Sequence, residues 1–192
     1  MLLAERLGKR YDSQWIFRGL DFELRKGDAL VVVGRNGSGK STLLKIISGL
    51  LGASEGRVIT EFNDPRTALG VSALDSSVYP SLTPSEHLEM SGKLRGCPRR
   101  TEELLERVGL ASAAALESSK LSSGMRARLK LALAIQADPQ LLILDEPGAS
   151  LDEEGRALVA SVAKEQTERG AMLVATNDPL ERRLGNLVLE LA

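Results

Sequence analysis

The sequence is poor in the features that mark several protein classes. Cys97 is the only cysteine among 192 residues, so the chain cannot close an intramolecular disulfide or build a cysteine-rich metal site. No stretch reaches the roughly 18 consecutive apolar residues of a membrane span. A charged residue, Glu5, already interrupts the apolar start of the sequence. We therefore expect a protein of the reducing cytoplasm with neither a signal peptide nor a membrane span.

An excess of positive charge is also missing. The 25 lysines and arginines are matched by 26 aspartates and glutamates, which gives a formal net charge of -1. Binding to a nucleic-acid backbone needs a clustered excess of basic residues, so we expect no nucleic-acid partner. The apolar share of 43% and the length suit one large globular domain with a sizeable core.

Secondary-structure patterns predict an α/β fold. Turn-like residues 11–14 and 26–28 flank short apolar or alternating runs, which predicts an antiparallel β start. A buried strand at 30–33 leads through a glycine-rich loop into a helix at 43–47. Further predicted elements are a strand at 57–60, helices within 84–120, a helix at 123–136, a strand at 141–144, a helix at 152–168, and strands at 171–175 and 187–191. This alternation predicts a mostly parallel, helix-covered sheet. Ser150 and Glu153 match a capping box at the start of the helix at 152–168.

Residues 34–41 match the phosphate-loop pattern G-x-x-x-x-G-K-S without a mismatch, between a predicted strand and a predicted helix. In such a loop, backbone N–H groups and the helix N-terminus surround phosphate oxygens, Lys40 neutralises their charge, and the Ser41 hydroxyl ligates Mg²⁺. The predicted nucleotide-binding residues are Gly34, Arg35, Asn36, Gly37, Ser38, Gly39, Lys40, Ser41 and Thr42. We expect ATP and Mg²⁺ to bind there.

A second chemical pair follows the apolar run at 141–144. Asp145 and Glu146 stand where a parallel strand would end, beside the phosphate loop of a neighbouring strand. Asp145 is predicted to hold the Mg²⁺ shell. Glu146 is predicted to polarise the attacking water, which makes it the catalytic base.

The order and spacing of four motifs resemble the nucleotide-binding domains of ATP-binding cassette (ABC) proteins, which are P-loop NTPases. They are the phosphate loop and residues 121–125, 144–147 and 149–152. The resemblance covers nearly the whole chain. It implies one ATPase domain over residues 1–192, with an N-terminal antiparallel β-subdomain and a small helical subdomain at roughly 76–136.

The same resemblance implies further binding roles. Tyr11 corresponds to the aromatic residue that stacks on adenine. Ser122, Ser123 and Gly124 belong to the family's signature, which opens a helix and grips the γ-phosphate bound to a second cassette. Asn177 takes the place of the switch histidine that contacts the γ-phosphate, and so joins Lys40 and Glu146 as a predicted catalytic residue.

Three departures from the family pattern concern catalysis. Leu74 stands where a glutamine would touch Mg²⁺, with Asp75 as a substitute acting through water. Asn177 can donate a hydrogen bond but carries no charge, and the signature has Ser123 and Met125 in place of glycine and glutamine. We therefore expect ATP binding to survive and hydrolysis to be slow or partner-dependent. The only histidine, His87, is interpreted as a structural or surface residue.

The expected function is that of the ATP-binding subunit of an ABC transporter. Transmembrane subunits and a second cassette, identical or different, are its expected partners, at the inner face of the membrane. The compact chain also resembles the ATPases of the haem-export complex in cytochrome c maturation. The alternatives are a non-transport ABC ATPase and a degenerate module that binds ATP with little hydrolysis.

Overall fold

The structure, a computed structural model, describes residues 1–73 and 77–191. Its strands are β1 (Leu2–Tyr11), β2 (Gln14–Leu24), β3 (Ala29–Gly34), β4 (Glu55–Thr60), β5 (Leu69–Ser72), β6 (Leu141–Asp145), β7 (Ala171–Thr176) and β8 (Leu187–Leu191). Its α-helices are α1 (Lys40–Ile47), α2 (Pro65–Ala68), α3 (Pro84–Arg95), α4 (Thr101–Arg107), α5 (Ser123–Ile135) and α6 (Glu153–Arg169). None of the helices in these two ranges is long and apolar enough to cross a membrane.

Two sheets divide the strands as the sequence predicts. The antiparallel sheet has the order β2-β1-β4, and the five-stranded sheet has the order β5-β6-β7-β3-β8. All four pairings in the larger sheet are parallel. The α/β fold class is therefore confirmed, with an antiparallel β unit built from the N-terminal strands beside a parallel sheet.

The larger sheet is buried because its central strands are apolar on both faces. Along β6, Leu142 and Leu144 face a core shared with α5, α6 and the helical segment between β5 and β6. Leu141 and Ile143 face the opposite way, into a core shared with α1. This alternation follows from the strand period of two, and it brings a helical layer to each face.

The helical segment between β5 and β6 contains α3, α4 and α5. Thr83 and Glu86 form a complete capping box at the start of α3. His87 is buried, its Nε2 accepts a hydrogen bond from the Tyr79 backbone N–H at 2.8 Å, and its Nδ1 lies 2.9 Å from the Thr83 carbonyl oxygen. The histidine is thus a structural residue, as the sequence suggested.

The predicted capping box at the start of α6 is wrong. The helix begins at Glu153, and its N-cap is Asp152, whose carboxylate accepts a hydrogen bond from the Gly155 N–H at 2.9 Å. Ser150 stays in the preceding loop, where the next N–H, that of Leu151, donates to the Gly148 carbonyl. Aspartate and serine are equally good N-caps, and the later start lets the Leu151 side chain enter the core.

Candidate nucleotide-binding site

The phosphate loop connects β3 to α1, and its glycines are required by close approach. A Cβ atom on Gly34 would lie 2.4 Å from Ser38 Oγ and 2.5 Å from the Leu191 carbonyl oxygen. Gly39, at the N-cap of α1, has a φ of +98°, and a Cβ there would lie 2.4 Å from Ile16 Cγ2. Larger residues at these two positions would therefore deform the loop.

Lys40 places a buried ammonium group inside the curve of this loop. Its Nζ donates to the carbonyl oxygens of Gly34 at 2.9 Å and Arg35 at 3.2 Å. It also lies 4.0 Å from Glu146 Oε1, and only 7% of the lysine side chain is exposed. The loop thus holds one positive charge where backbone N–H groups at the start of α1 are free to bind an anion.

An open cleft of about 530 Å³ lies over the loop. It is lined by Ile16, Asn36, Gly37, Gly39, Lys40, Ser41, Thr42, Glu146, Ala149 and Asn177. Most of the predicted loop residues are in this set, together with two of the predicted catalytic residues, Glu146 and Asn177. Gly34, Arg35 and Ser38 do not line the cleft. Gly34 and Ser38 lie against each other on the inner side of the loop, and Ser38 is 8% exposed.

Glu146, directly after β6, lines the cleft, whereas Asp145 at the end of β6 lines a smaller cavity beside it. The sequence predicted that the acidic pair would follow the strand next to β3. This prediction is wrong, because β7 lies between β6 and β3. Glu146 still comes close to the phosphate loop because the chain turns out of the strand at this residue, which has a φ of 48°. Its backbone N–H donates to the Ala175 carbonyl oxygen at 2.8 Å. This turn directs the carboxylate toward Lys40.

Ser41 and Asp145 line one small cavity, of about 20 Å³, beside the cleft. A hydroxyl and a carboxylate are hard oxygen ligands of the kind Mg²⁺ prefers, so the pair fits the predicted metal role. Within residues 1–73 and 77–191, no group of three or more histidine, cysteine or acidic side chains could hold a metal ion. Magnesium would therefore need phosphate oxygens and water to complete its shell.

Asn177 links the end of β7 to the phosphate loop. Its Nδ2 donates to Asn36 Oδ1 at 2.9 Å, and its backbone N–H points at Glu146 Oε2 at 3.4 Å. Asn177 therefore contacts both the phosphate loop and the predicted catalytic base, Glu146. It supplies hydrogen-bond donors and no charge.

The signature residues do not line this cleft, but Ser123 lines a separate cavity of about 370 Å³ together with Asp145 and Glu146. Ser122 caps α5 by accepting a hydrogen bond from the Met125 N–H at 3.1 Å, and both Ser122 and Ser123 are exposed. Gly124 packs against the loop that follows Glu146, because a Cβ atom there would lie 3.0 Å from the Ser150 carbonyl oxygen. The open N-terminus of α5 is thus presented to the outside of the chain.

Tyr11, the residue predicted to stack on adenine, lies apart from the cleft. Tyr11 ends β1, is 49% exposed, and does not belong to the set that lines the cleft, although Ile16 on the adjoining strand does. Its ring lies 5.1 Å from Lys9 Nζ. The predicted replacement of the glutamine by Leu74, with its neighbour Asp75, lies outside the described residues.

Sequence reasoning missed a third acidic residue at this site. Glu181, in the 3₁₀ turn Glu181–Leu184 after β7, is 9% exposed and accepts a hydrogen bond from the Gly148 N–H at 2.6 Å. Burial raises the pKa of its carboxyl group, which also lies near Glu146. A charged residue inside an otherwise polar stretch gives no local signal of burial.

A strand, a glycine loop, a buried lysine and an acidic pair from a second parallel strand together define a P-loop nucleotide-binding site. Residues 17–149 match the family described as ABC transporter, and the chain belongs to that family.

Relatives with different names match the chain over nearly its whole length. Linearmycin resistance ATP-binding protein LnrL of Bacillus subtilis is 32% identical over 94% of this chain and 62% of its own. Cytochrome c biogenesis ATP-binding export protein CcmA of Mesorhizobium japonicum is 37% identical over 93% and 92%. The chain thus spans less than two thirds of LnrL. These similar identities do not single out the haem-export group, which stays a prediction.

The fold also matches solved structures. A dimeric ATP-binding cassette bound to ADP and Pi superposes with a TM-score of 0.90, covering 100% of this chain and 94% of that one at 23% identity.

Proposed function

We propose that this chain is the ATP-binding subunit of an ABC transporter and hydrolyses ATP·Mg²⁺ to drive transport by separate membrane subunits. The observation that carries the proposal is the 4.0 Å approach of Lys40 Nζ and Glu146 Oε1 at the edge of the 530 Å³ cleft. This approach places a phosphate-binding cation and a water-polarising carboxylate at the same part of the cleft, where both can act on one phosphoryl group.

Each residue has a separate task in the proposed reaction. The N–H groups of residues 37–42 and the Lys40 ammonium bind the β- and γ-phosphates. Ser41 and Asp145 would hold Mg²⁺, which supplies positive charge to the phosphate oxygens. Glu146 accepts a hydrogen bond from the attacking water, and Asn177 donates one toward the γ-phosphate.

We further propose that residues 1–192 form one nucleotide-binding domain, with the helical subdomain at roughly 76–136 as an insertion in the P-loop core. Ser122 and Ser123 of the signature are exposed at the N-terminus of α5 and do not line the 530 Å³ cleft. In the family this element binds the γ-phosphate held by a second cassette. A pair of cassettes, identical or different, is therefore proposed at the inner face of the membrane.

Steady-state turnover of the wild type and Glu146→Gln tests the proposed chemistry. We expect Glu146→Gln to lower hydrolysis by about 10²- to 10⁴-fold, because general-base catalysis typically contributes that factor. Glu168→Gln, on the exposed face of α6, is the matched control and should keep the wild-type rate. Wild-type turnover in Glu146→Gln would exclude Glu146 as the base.

A second candidate, the degenerate module, is favoured by one observation: Asn177 supplies a neutral donor where a histidine would stand. Asn177→His distinguishes the two proposals. Faster turnover in this variant supports an ATPase that is slow because of its switch residue. If ATP binds but no variant hydrolyses it, the degenerate module is correct.

The transport role needs an experiment of its own, because a non-transport ABC ATPase would pass the turnover test. Affinity purification of the chain from solubilised membranes should recover an integral membrane protein in a defined ratio. Recovery of the chain only in the soluble fraction would favour the non-transport alternative.

A further inference from the structure

Glu181 is a buried acidic residue that the proposed mechanism does not yet use. It lies in the turn after β7, 35 residues beyond Glu146 in the chain, with 9% of its surface exposed. Its Oε1 accepts from the Gly148 N–H at 2.6 Å. Its Oε2 is buried and has no hydrogen-bond partner among the described residues. A carboxyl oxygen that is buried without a hydrogen-bond partner costs stability.

Gly148 belongs to the loop that sets the direction of Glu146. This loop turns sharply, because Glu146 has a φ of 48° and its carbonyl oxygen accepts from the Ala149 N–H at 3.1 Å. A left-handed conformation at a residue other than glycine is strained, and it persists only where surrounding contacts hold it. The Gly148 N–H has one such contact, the Glu181 carboxyl group.

The fit between the two residues leaves no spare room. A Cβ atom on Gly148 would lie 2.4 Å from Glu181 Oε1, so glycine is the residue that allows the carboxyl group to approach the backbone. Thr176, at the end of β7, adds a second link. Its hydroxyl lies 3.4 Å from Glu146 Oε2, so the end of β7 also holds the Glu146 carboxylate.

We propose that Glu181 is a positioning residue for Glu146: its buried carboxyl group holds the Gly148 N–H and so fixes the turn that aims Glu146 at the nucleotide. The inference rests on the proposed function, because it assigns Glu181 to the same hydrolysis. Glu181 touches neither the cleft nor the phosphate loop, and it acts only through the loop at residues 146–149.

Single-turnover hydrolysis of ATP·Mg²⁺ with protein in excess, together with ATP affinity, tests this role. In Glu181→Ala the maximal rate should fall up to about 100-fold, because misplacing a reacting group by about 1 Å costs that factor. The dissociation constant of ATP should stay within about twofold, since a loss confined to the rate marks an interaction used in catalysis. Glu181→Gln keeps an acceptor oxygen for the Gly148 N–H and should restore most of the rate.

Two controls keep the outcomes separate. Glu168→Ala removes an exposed carboxylate from α6 and should behave as wild type. Glu181→Asp shortens the side chain by one methylene and keeps its charge. We expect it to lose rate as the alanine variant does, and it replaces that variant in the test if Glu181→Ala does not fold.

A wild-type rate with normal affinity in both Glu181→Ala and Glu181→Asp overturns the positioning role. Equal losses of rate and affinity in these variants also overturn it, because they indicate a general structural role. Failure of the proposed function looks different, since Glu146→Gln would then leave the wild-type rate unchanged.

Discussion

Replacing Lys40 by alanine should remove most of the stabilisation of the protein by ATP. Lys40 Nζ lies 4.0 Å from Glu146 Oε1 and 2.9 and 3.2 Å from two loop carbonyl oxygens, with 7% of the side chain exposed. At an effective dielectric constant of about 20, a phosphate charge 4 Å from the ammonium gains about 4 kcal/mol. Some of this gain replaces existing contacts, so we expect a net loss of about 2.7 kcal/mol, or about 100-fold in ATP affinity.

The melting temperature converts this loss into a measurement. At an ATP concentration of about 100 times the wild-type dissociation constant, ligand binding stabilises the folded protein by about 2.7 kcal/mol. For a chain of this length each kcal/mol raises the Tm by about 2–4 °C, so the wild-type shift should be about 5–11 °C. For Lys40→Ala the same ATP concentration equals its dissociation constant, which leaves about 0.4 kcal/mol and a shift of about 1 °C.

The shift with ATP, not the Tm itself, is the quantity to compare, because Lys40→Ala also loses two hydrogen bonds in the nucleotide-free protein. Lys164→Ala, on the exposed face of α6, is the charge-matched control and should show the full shift. A full ATP shift in Lys40→Ala would refute the assignment of this cleft as the phosphate site.

Two further predictions concern stability. Gly34→Ala should lower the free energy of unfolding in urea by about 1–3 kcal/mol, because overpacking of a filled space costs that much. Gly52→Ala is the control and should be close to neutral, because its Cβ atom would meet open space. Equal effects of the two substitutions would contradict the required close approach at Gly34. Burial raises the pKa of the Glu181 carboxyl group above 4.5, so the folded protein holds this proton more tightly than the unfolded chain does. The stability it contributes is present below the unfolded pKa and is lost as the pH rises through the folded pKa. The stability of Glu181→Gln relative to wild type should therefore increase as the pH is raised from about 4.5 toward 8, and a constant difference would contradict the buried carboxyl group.

The parts of the site that sequence reasoning predicted are those held by neighbouring residues. The phosphate loop is one continuous segment, and its glycines, lysine and serine reach the same cleft because a strand, a tight loop and a helix start impose that geometry. The position of β7 between β3 and β6 was not predictable in this way. Strand order in a parallel sheet is decided by crossovers, which leave no local pattern.

The helix start at residue 153 shows a second limit. Ser150 and Asp152 both offer an N-cap oxygen two residues apart, and propensity does not rank one over the other. Tertiary contacts decide between them: Leu151 is buried in the core, and Arg128 Nη2 lies 3.0 Å from Asp152 Oδ1. The choice depends on α5, which is remote in sequence, so the local motif alone predicted the wrong residue.

Slow hydrolysis stays a prediction, and it depends on the contacts of Asn177. Its side-chain amide donates to Asn36 in the phosphate loop, and its backbone N–H faces Glu146, so the residue ties the base to the loop. An amide can hold this geometry but cannot add positive charge as the γ-phosphate leaves. Orientation at the cleft would then depend on the chain's own residues, Glu181 among them. In the proposed pair of cassettes, the N-terminus of the second chain's α5 would offer N–H groups to the same phosphate and so add positive charge there.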